Sequence, residues 1–463
     1  MLAPRDNSVE PWRILIIQDA GDEILLKADG AKWTLPEVFI PARQRIAANI
    51  NRMVQKEFGL SIVSLYEIPS RDQDQPYQTP CHAAIPVQQR PDPPDGMCWT
   101  KVRLLGPGSF SSQQDFSAVE GFVSGLKASR EEQPPQPFLQ PNWFRNVSEW
   151  VEEALNLHSR SLTGSFHQFN ASSTFSLIRF DTDGAPVWFK AVGKPNTREF
   201  EVTGALARTC PVYLPTLLGV KAEWNAWLSE HIPGPSLSGA AIPDWENAAA
   251  SLADLQILAL PAAEEIGKAG ARDLRFNFLH SLVAPFFQFI SNDSLPSPAL
   301  RSEAAIAFNT RATSASIHET LAALESLHLP ESVGHMDLSA QNIFFVGRNC
   351  VFLDWAESFI GCPFFSFEYL LQQFRGNCSS TPDSEARFRD AYFTPWRDLV
   401  SWQQAETAST LAPLAALFAY AATLWSSLEV QGTLSDSQRH YLVGLAQRMQ
   451  RITANSKGVC SPC

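Results

Sequence analysis

VGHMDLSAQNIFFVGRNCVFLDW, residues 333–355, sets a His, two Asp and an Asn around one short, strongly apolar hairpin. Strands use apolar residues for burial, so carboxylates bracketing such a pair need either partners or a chemical role. IFFV (343–346) and CVFL (350–353) are expected as strands around a turn at 347–349. Asn342 and Asp354 each stand six residues from Arg348, so a regular hairpin brings them to the same end. Asp337 lies five residues before Asn342, in the loop entering the first strand. An amide oxygen and a carboxylate converging on one point are hard ligands suited to Mg2+, which takes the rest of its shell from waters and phosphates. A further carboxylate nearby is placed to orient a hydroxyl and accept its proton. The alternative makes Asp337 and Asp354 turn carboxylates that cap backbone amides. Four polar residues at this spacing favour chemistry.

The bulk composition fits a globular protein. Of 463 residues, 45% are hydrophobic and 18% charged, which excludes a disordered chain and leaves room for two or three domains. With 36 basic against 48 acidic residues the net charge is −12, which argues against a nucleic-acid partner held by phosphate contacts. MLAPRDNSVEPW carries no apolar stretch, so no secretory signal is expected. The longest apolar run, LAPLAALFAYAATLW (411–425), falls short of the roughly 20 residues of a spanning helix and contains a Pro. It is expected as a buried helix, with no membrane partner. The cysteines at 81, 98, 210, 350, 362, 378, 460 and 463 show no disulfide rhythm, which points to the cytoplasm. Only the tail CSPC forms a CxxC, and alone it signals no site.

Along the chain, KASREEQPPQPFLQP (127–141) reads as a linker. Before it, RILIIQ and EILLKA are expected to form a hairpin through DAGD (19–22). Ile46, Ile50, Met53, Val54 and Phe58 fall at helical spacing, closed by Gly59, and SIVSLYEI follows as a strand. After it, Trp143, Val147, Val151 and Leu155 mark one face of a helix. FSLIRF (175–180) and VWFKAV (187–192) are strands about a DTDG turn, TREFEVTGALAR a helix, and EWNAWLSEHI one or two strands. Helices dominate from 244 onward, apart from the opening hairpin.

The run His335-Met336-Asp337, Asn342 and Phe352-Leu353-Asp354-Trp355 resembles the HxDLxxxN and hhhDW loops of the aminoglycoside phosphotransferase and choline kinase branch of the protein-kinase-like fold. IGCPFFSFEYLL (360–371) is similar to that branch's G-x-P-x-x-D-L run, with Ser366 in place of the aspartate, a change expected to weaken a helix-anchoring contact. The resemblance implies an α+β, bilobal phosphotransferase domain over 142–463, with a small lobe at 150–232 and a helical lobe at 233–463. It implies ATP or GTP with Mg2+ on Asn342 and Asp354, Asp337 as the catalytic base, and His335 bracing the loop. Lys190 falls where the phosphate-neutralising lysine lies, and Glu199, with Glu201 as fallback, where its partner lies. The backbone near Ser229, Glu230 and His231 is expected to meet adenine. No Gly-rich loop precedes Lys190, so Ser172 and Ser173 are the expected phosphate contacts, with a surface turn as the competing reading. A nucleotide-binding pseudokinase is the rival function.

Residues 33–60 resemble a Nudix box, giving a small Nudix-like α/β domain over 1–126. Arg52 and Glu57 match that pattern. Met53 and Lys56 replace glutamates, Gln44 replaces an earlier acidic residue, and Glu37-Val38 replace two glycines. A thioether and an ammonium cannot ligate Mg2+, so this domain is expected to be non-catalytic and an active Nudix hydrolase improbable. The acceptor is expected to be a small molecule: an amino-alcohol, aminoglycoside, sugar or hydroxy amino acid. GARDLRFNFLH (270–280) and FEYLLQQFR (367–375) are its candidate linings. Oligomeric state is not legible.

Overall fold

A computed structural model describes residues 8–18, 21–42, 45–69, 79–131, 137–291, 310–431 and 434–458. Asp19, Ala20, Gln44 and the CSPC tail lie outside them. The chain clusters into two compact units, Met1–Phe200 with Thr216–His231, and Glu201–Pro215 with Ile232–Cys463.

The first unit contains three sheets. Strands β1 (Val9–Ile16), β2 (Glu23–Asp29), β3 (Lys32–Thr34) and β4 (Glu37–Pro41) precede helix α1 (Ile46–Phe58), then come β5 (Ile62–Glu67), β6 (Cys81–Pro86) and β7 (Met97–Lys101). The sheets run β4-β1-β6-β5 and β3-β2-β7. The expected β1–β2 hairpin therefore does not form a sheet. The two strands share only the Ile17–Ile24 bridge and then diverge, because β1 pairs in parallel with β6 and antiparallel with β4. Helix α1 has the expected face, with Ile50 and Val54 fully buried. Gly59 ends it at φ 65°, its N–H donating to the Gln55 carbonyl at 3.1 Å, a left-handed cap that glycine adopts without strain.

Residues 127–131, expected as linker, instead complete helix α2 (Gln113–Glu131). Further on, Phe138 is 3% exposed and packs 5.2 Å from the Trp143 ring, so this end of the segment anchors in a core. That core runs from Leu15 to Leu228 without a break, which is why the first 126 residues and the next sheet cluster together. Helix α3 (Trp143–Asn156) buries Trp143, Val147, Val151 and Leu155 as expected. Then come β8 (Leu162–Ser172), β9 (Phe175–Thr182), β10 (Val187–Val192), helix α4 (Arg198–Thr209), β11 (Leu217–Lys221) and β12 (Ala226–Glu230). These strands form an antiparallel sheet ordered β11-β12-β10-β9-β8.

The second unit is mainly helical. It contains α5 (Ile242–Ala259), α6 (Ala263–Lys268), β13 (Arg272–Leu274), α7 (Phe276–Ser291), α8 (Thr310–Glu325), β14 (Ser332–His335), β15 (Ile343–Val346), β16 (Asn349–Phe352) and β17 (Ser358–Gly361). Helices α9 (Phe364–Asn377), α10 (Pro382–Trp396), α11 (Trp402–Gln431) and α12 (Asp436–Gly458) complete it. The apolar run at 411–425 sits inside the 30-residue α11. The stretch Trp402–Leu428 is long and apolar enough to cross a bilayer, and half of its most apolar window is buried within the fold. Gln256 on α5 is fully buried and bonded on both ends of its amide. Its Nε2 donates to the Val333 and Pro363 carbonyls, each at 3.2 Å, and its Oε1 accepts from Tyr392 at 2.7 Å. A buried amide satisfied in this way pins β14, the start of α9 and α10 to one helix.

Candidate functional site

In the first unit, Lys190 sits on β10 between Leu177 of β9 and Trp227 of β12. Its Nζ lies 2.5 Å from Glu199 Oε1, with side chains 12% and 3% exposed. The Phe175 and Trp227 rings stand 5.3 and 5.6 Å from the same ammonium. A lysine held this far from water by a carboxylate and two aromatic faces is a fixed positive charge, not a mobile surface group. Glu199, not Glu201, is its partner. Ser172 and Ser173 stand at the tip of the β8–β9 hairpin, where Ser172 pairs with Phe175. Ser172 Oγ accepts the Thr174 N–H at 3.2 Å, and Gly193 N–H donates to the Thr174 carbonyl at 2.7 Å. The tip is thus tied to the end of the lysine strand.

The expected adenine edge lies at the end of β12. Ser229 and Glu230 are still paired in the sheet, opposite Trp188 and Val187. The Glu230 and His231 N–H groups already donate, to the Thr216 carbonyl at 2.9 Å and the Pro186 carbonyl at 3.3 Å. Glu230's carboxylate takes Arg160 at 2.8 and 3.0 Å, and His231 Nδ1 accepts the Trp188 indole N–H at 3.1 Å. The Glu230 and His231 side chains and N–H groups are thus engaged within the sheet.

In the second unit, the hairpin turns on two residues, not three. Val346 pairs with Asn349 and Ile343 with Phe352, and Gly347 carries φ 64°. A glycine with positive φ at the first central position is what a two-residue hairpin turn requires. The register therefore sets Asn342 opposite Leu353, whose N–H donates to the Asn342 carbonyl at 2.8 Å, and Asp354 follows one residue on. Asp354 itself adopts φ 67°, ψ 58°, a left-handed conformation that non-glycine residues seldom take and that turns the chain sharply.

His335 ends β14 and is fully buried. Its Nδ1 accepts the Asp337 N–H at 3.0 Å, so the ring's proton resides on Nε2, which donates to the Leu353 carbonyl at 3.0 Å. One neutral imidazole thereby joins the Asp337 loop to the residue before Asp354. Ser366 Oγ accepts the His335 N–H at 2.7 Å with both residues fully buried. The serine thus ties the start of α9 directly to the end of β14. Asn342 Nδ2 donates to the Asp337 carbonyl at 3.2 Å, a contact that does not use its Oδ1. Asp337, Asn342 and Asp354 are all half-buried.

Sequence reasoning missed the phenols near Asp337. Burial and then the Asp337 charge hold the Tyr369 phenol on α9 above its ordinary value. The Tyr420 phenol on α11 is likewise raised, first by burial and then by Tyr441, with Tyr369 and Asp337 contributing. Its hydroxyl lies 3.3 Å from that of Tyr441 on α12. Tyr369 belongs to an expected lining; Tyr420 and Tyr441 come from helices whose sequence carries no motif. In the other expected lining Arg272 pairs with Glu357 and Arg275 with Glu264, Asp273 and Glu331.

No protein-family model matches the chain, and no curated protein matches it. Solved structures do. A choline/ethanolamine kinase family protein from Mesorhizobium loti matches at 15% identity and TM-score 0.43, over 63% of this chain and 88% of that one. The choline kinase LicA from Streptococcus pneumoniae matches at 14% and 0.44, over 67% and 99%. A macrolide 2'-phosphotransferase from Brachybacterium faecium matches at 14% and 0.44, over 65% and 98%. The chain's own order of elements is an antiparallel sheet carrying the Lys190–Glu199 pair, then helices interrupted by the braced hairpin.

Proposed function

We propose that the chain is an ATP- and Mg2+-dependent phosphotransferase that moves a γ-phosphoryl group to a hydroxyl of a small molecule. The observation that carries this reading is the buried His335 imidazole bonded to both the Asp337 loop and the Leu353 carbonyl. Two carboxylates acting only as turn caps need no shared brace. The residues present fit the metal: Asn342 Oδ1 and the Asp354 carboxylate are hard oxygen donors, and Mg2+ bound there would neutralise phosphate charge. Lys190, fixed by Glu199, adds positive charge for the phosphates. Asp337 orients the acceptor hydroxyl and takes its proton, while His335 and Ser366 keep that carboxylate in place. Positioning and charge neutralisation do most of the work, because phosphoryl transfer demands little covalent chemistry from protein groups.

The acceptor class includes amino-alcohols, aminoglycosides, sugars and hydroxy amino acids. Tyr369, Tyr420 and Tyr441 offer it hydroxyls and aromatic faces beside Asp337. The first 126 residues serve as a Nudix-like domain without hydrolysis, since α1 carries Met53 and Lys56 where that motif has glutamates. The six described cysteines are free thiols, in keeping with a reducing cytoplasm. The test is ADP release from ATP and Mg2+ across a panel of hydroxylated amines, aminoglycosides and sugars. An acceptor-dependent rate abolished by Asp337→Asn supports the reading; no release with any acceptor favours the pseudokinase.

A further inference from the structure

Helix α1 and strand β8 are locked together by an unusual side chain. Gln168, 3% exposed, accepts the Ser64 N–H at 2.9 Å and donates to the Ser64 carbonyl at 2.9 Å. Its Oε1 also accepts Asn51 Nδ2 at 2.8 Å, and Ser64 Oγ donates to Asn51 Oδ1 at 2.8 Å. One side-chain amide thus stands in for a strand residue against β5. Both strands are irregular at this point: β5–β6 shifts register between Ser64 and Tyr66, and β8–β9 between Gln168 and Asn170. A second shift, between Leu162 and Phe166, lifts Gly164 and Ser165 off the ladder, Gly164 at φ 84°. Bulges of this kind re-aim a strand and mark functional edges.

Beside this junction lies an open groove of about 630 Å3. Its walls come from Asn49, Asn51, Arg52 and Gln55 on α1, from Ser61, and from Ser165–Gln168 on β8. Among the described residues no carboxylate lines it, although the chain as a whole carries a net charge of −12. Arg52 gives one guanidinium nitrogen to Asn49 Oδ1 at 2.6 Å and has further N–H groups to offer. Arg45 stands 5.4 Å over the Phe169 ring, next along β8. Burial, then the Arg179 and Arg45 charges, hold the His167 imidazole below its ordinary value, with Asp181, itself paired to Arg179 at 3.3 Å, opposing them. The groove is therefore electropositive at one side and lined by amides and hydroxyls at the other.

We infer that this groove binds a hydroxyl-bearing phosphate monoester of sugar-phosphate size. Arg52 meets the phosphate, with which a guanidinium forms paired, charge-assisted bonds. Asn49, Gln55, Ser61 and Ser165 meet the hydroxyls, and the volume falls within the usual range for a small-molecule site. The site is separate from the Lys190–Glu199 pair and does not depend on the proposed reaction. It also lies on the strand whose far end carries Ser172.

The test is isothermal titration of ribose 5-phosphate into the full chain, with ribose and citrate as controls. The expected result is one site per chain, no binding of ribose, citrate weaker by about tenfold, and an affinity lowered at least tenfold by Arg52→Gln. Gln55→Glu, an exposed position that places a carboxylate in the groove, should weaken binding similarly without lowering thermal stability. Asp354→Ala should leave it intact. Absence of binding, equal binding of citrate, or binding lost in Asp354→Ala but kept in Arg52→Gln would overturn the proposal.

Discussion

Replacing Ser366 by Ala removes one hydroxyl and tests how the catalytic loop is held. The hydroxyl accepts the His335 N–H at 2.7 Å, both residues are fully buried, and nothing else in that contact reaches solvent. Alanine fits the same space, so the change is not one of volume. It leaves a buried N–H without its partner, which costs about 1–3 kcal/mol. For a unit of this size each kcal/mol lowers Tm by about 2–4 °C, so a drop of roughly 2–12 °C is expected. The larger effect should fall on turnover. His335 holds Asp337 through Nδ1 and Leu353 through Nε2, so a shift of its backbone moves the proposed base and the residue before the proposed metal carboxylate together. Misplacement on the scale of 1 Å costs up to about a hundredfold in rate. The assay is a melting curve paired with ADP release, and turnover should fall more than stability does. A variant with unchanged Tm and unchanged turnover would refute the argument that this serine anchors the loop.

Three further outcomes follow from other parts of the molecule. Lys190→Met removes the ammonium paired with the buried Glu199 carboxylate and should destabilise the fold by about 3–5 kcal/mol; the double variant Lys190→Met/Glu199→Leu should regain stability in urea melts but not turnover. His82 is buried beside Trp12 with neither ring nitrogen hydrogen-bonded, and burial pushes its pKa down to about 3. The folded ring stays neutral while the unfolded one takes a proton below about pH 6.5, so stability should fall between pH 6.5 and 3, by about 3 kcal/mol at pH 4.5. His82→Leu should flatten that slope in melts run across the same range. Gly334→Ala would set a methyl 2.0 Å from the buried Phe359 ring, so a loss of about 1–3 kcal/mol is expected by denaturant unfolding.

Much of the site was legible because its chemistry is local in sequence. Asp337, Asn342 and Asp354 sit within one loop and one hairpin, and the lysine strand and its helix follow each other directly, so spacing alone could bring them to notice. What spacing could not supply was any partner contributed from far along the chain. Ser366 lies 31 residues from the backbone it holds, and Gln168 reaches across 104 residues to Ser64. The tyrosines near Asp337 come from helices with no motif, where an aromatic residue reads as core. The hairpin's register was misjudged because GRN allows either a two- or a three-residue turn, and only the φ of Gly347 decides it. Sequence likewise shows where β12 runs but not that the Glu230 and His231 amides are already donated. The first sheet misled most, since two apolar runs joined by a short turn looked like a hairpin while β1 found its neighbours in β4 and β6.

The most direct test of the central claim is the melting temperature with ATP and Mg2+ together, measured on the wild-type chain and on Asp354→Ala. A ligand at a hundred times its Kd stabilises by about 2.7 kcal/mol, enough to raise Tm by several degrees. The account expects that rise in the wild type, dependent on Mg2+, and none in the variant. No shift in either protein would contradict it and leave the braced hairpin as a well-capped piece of structure.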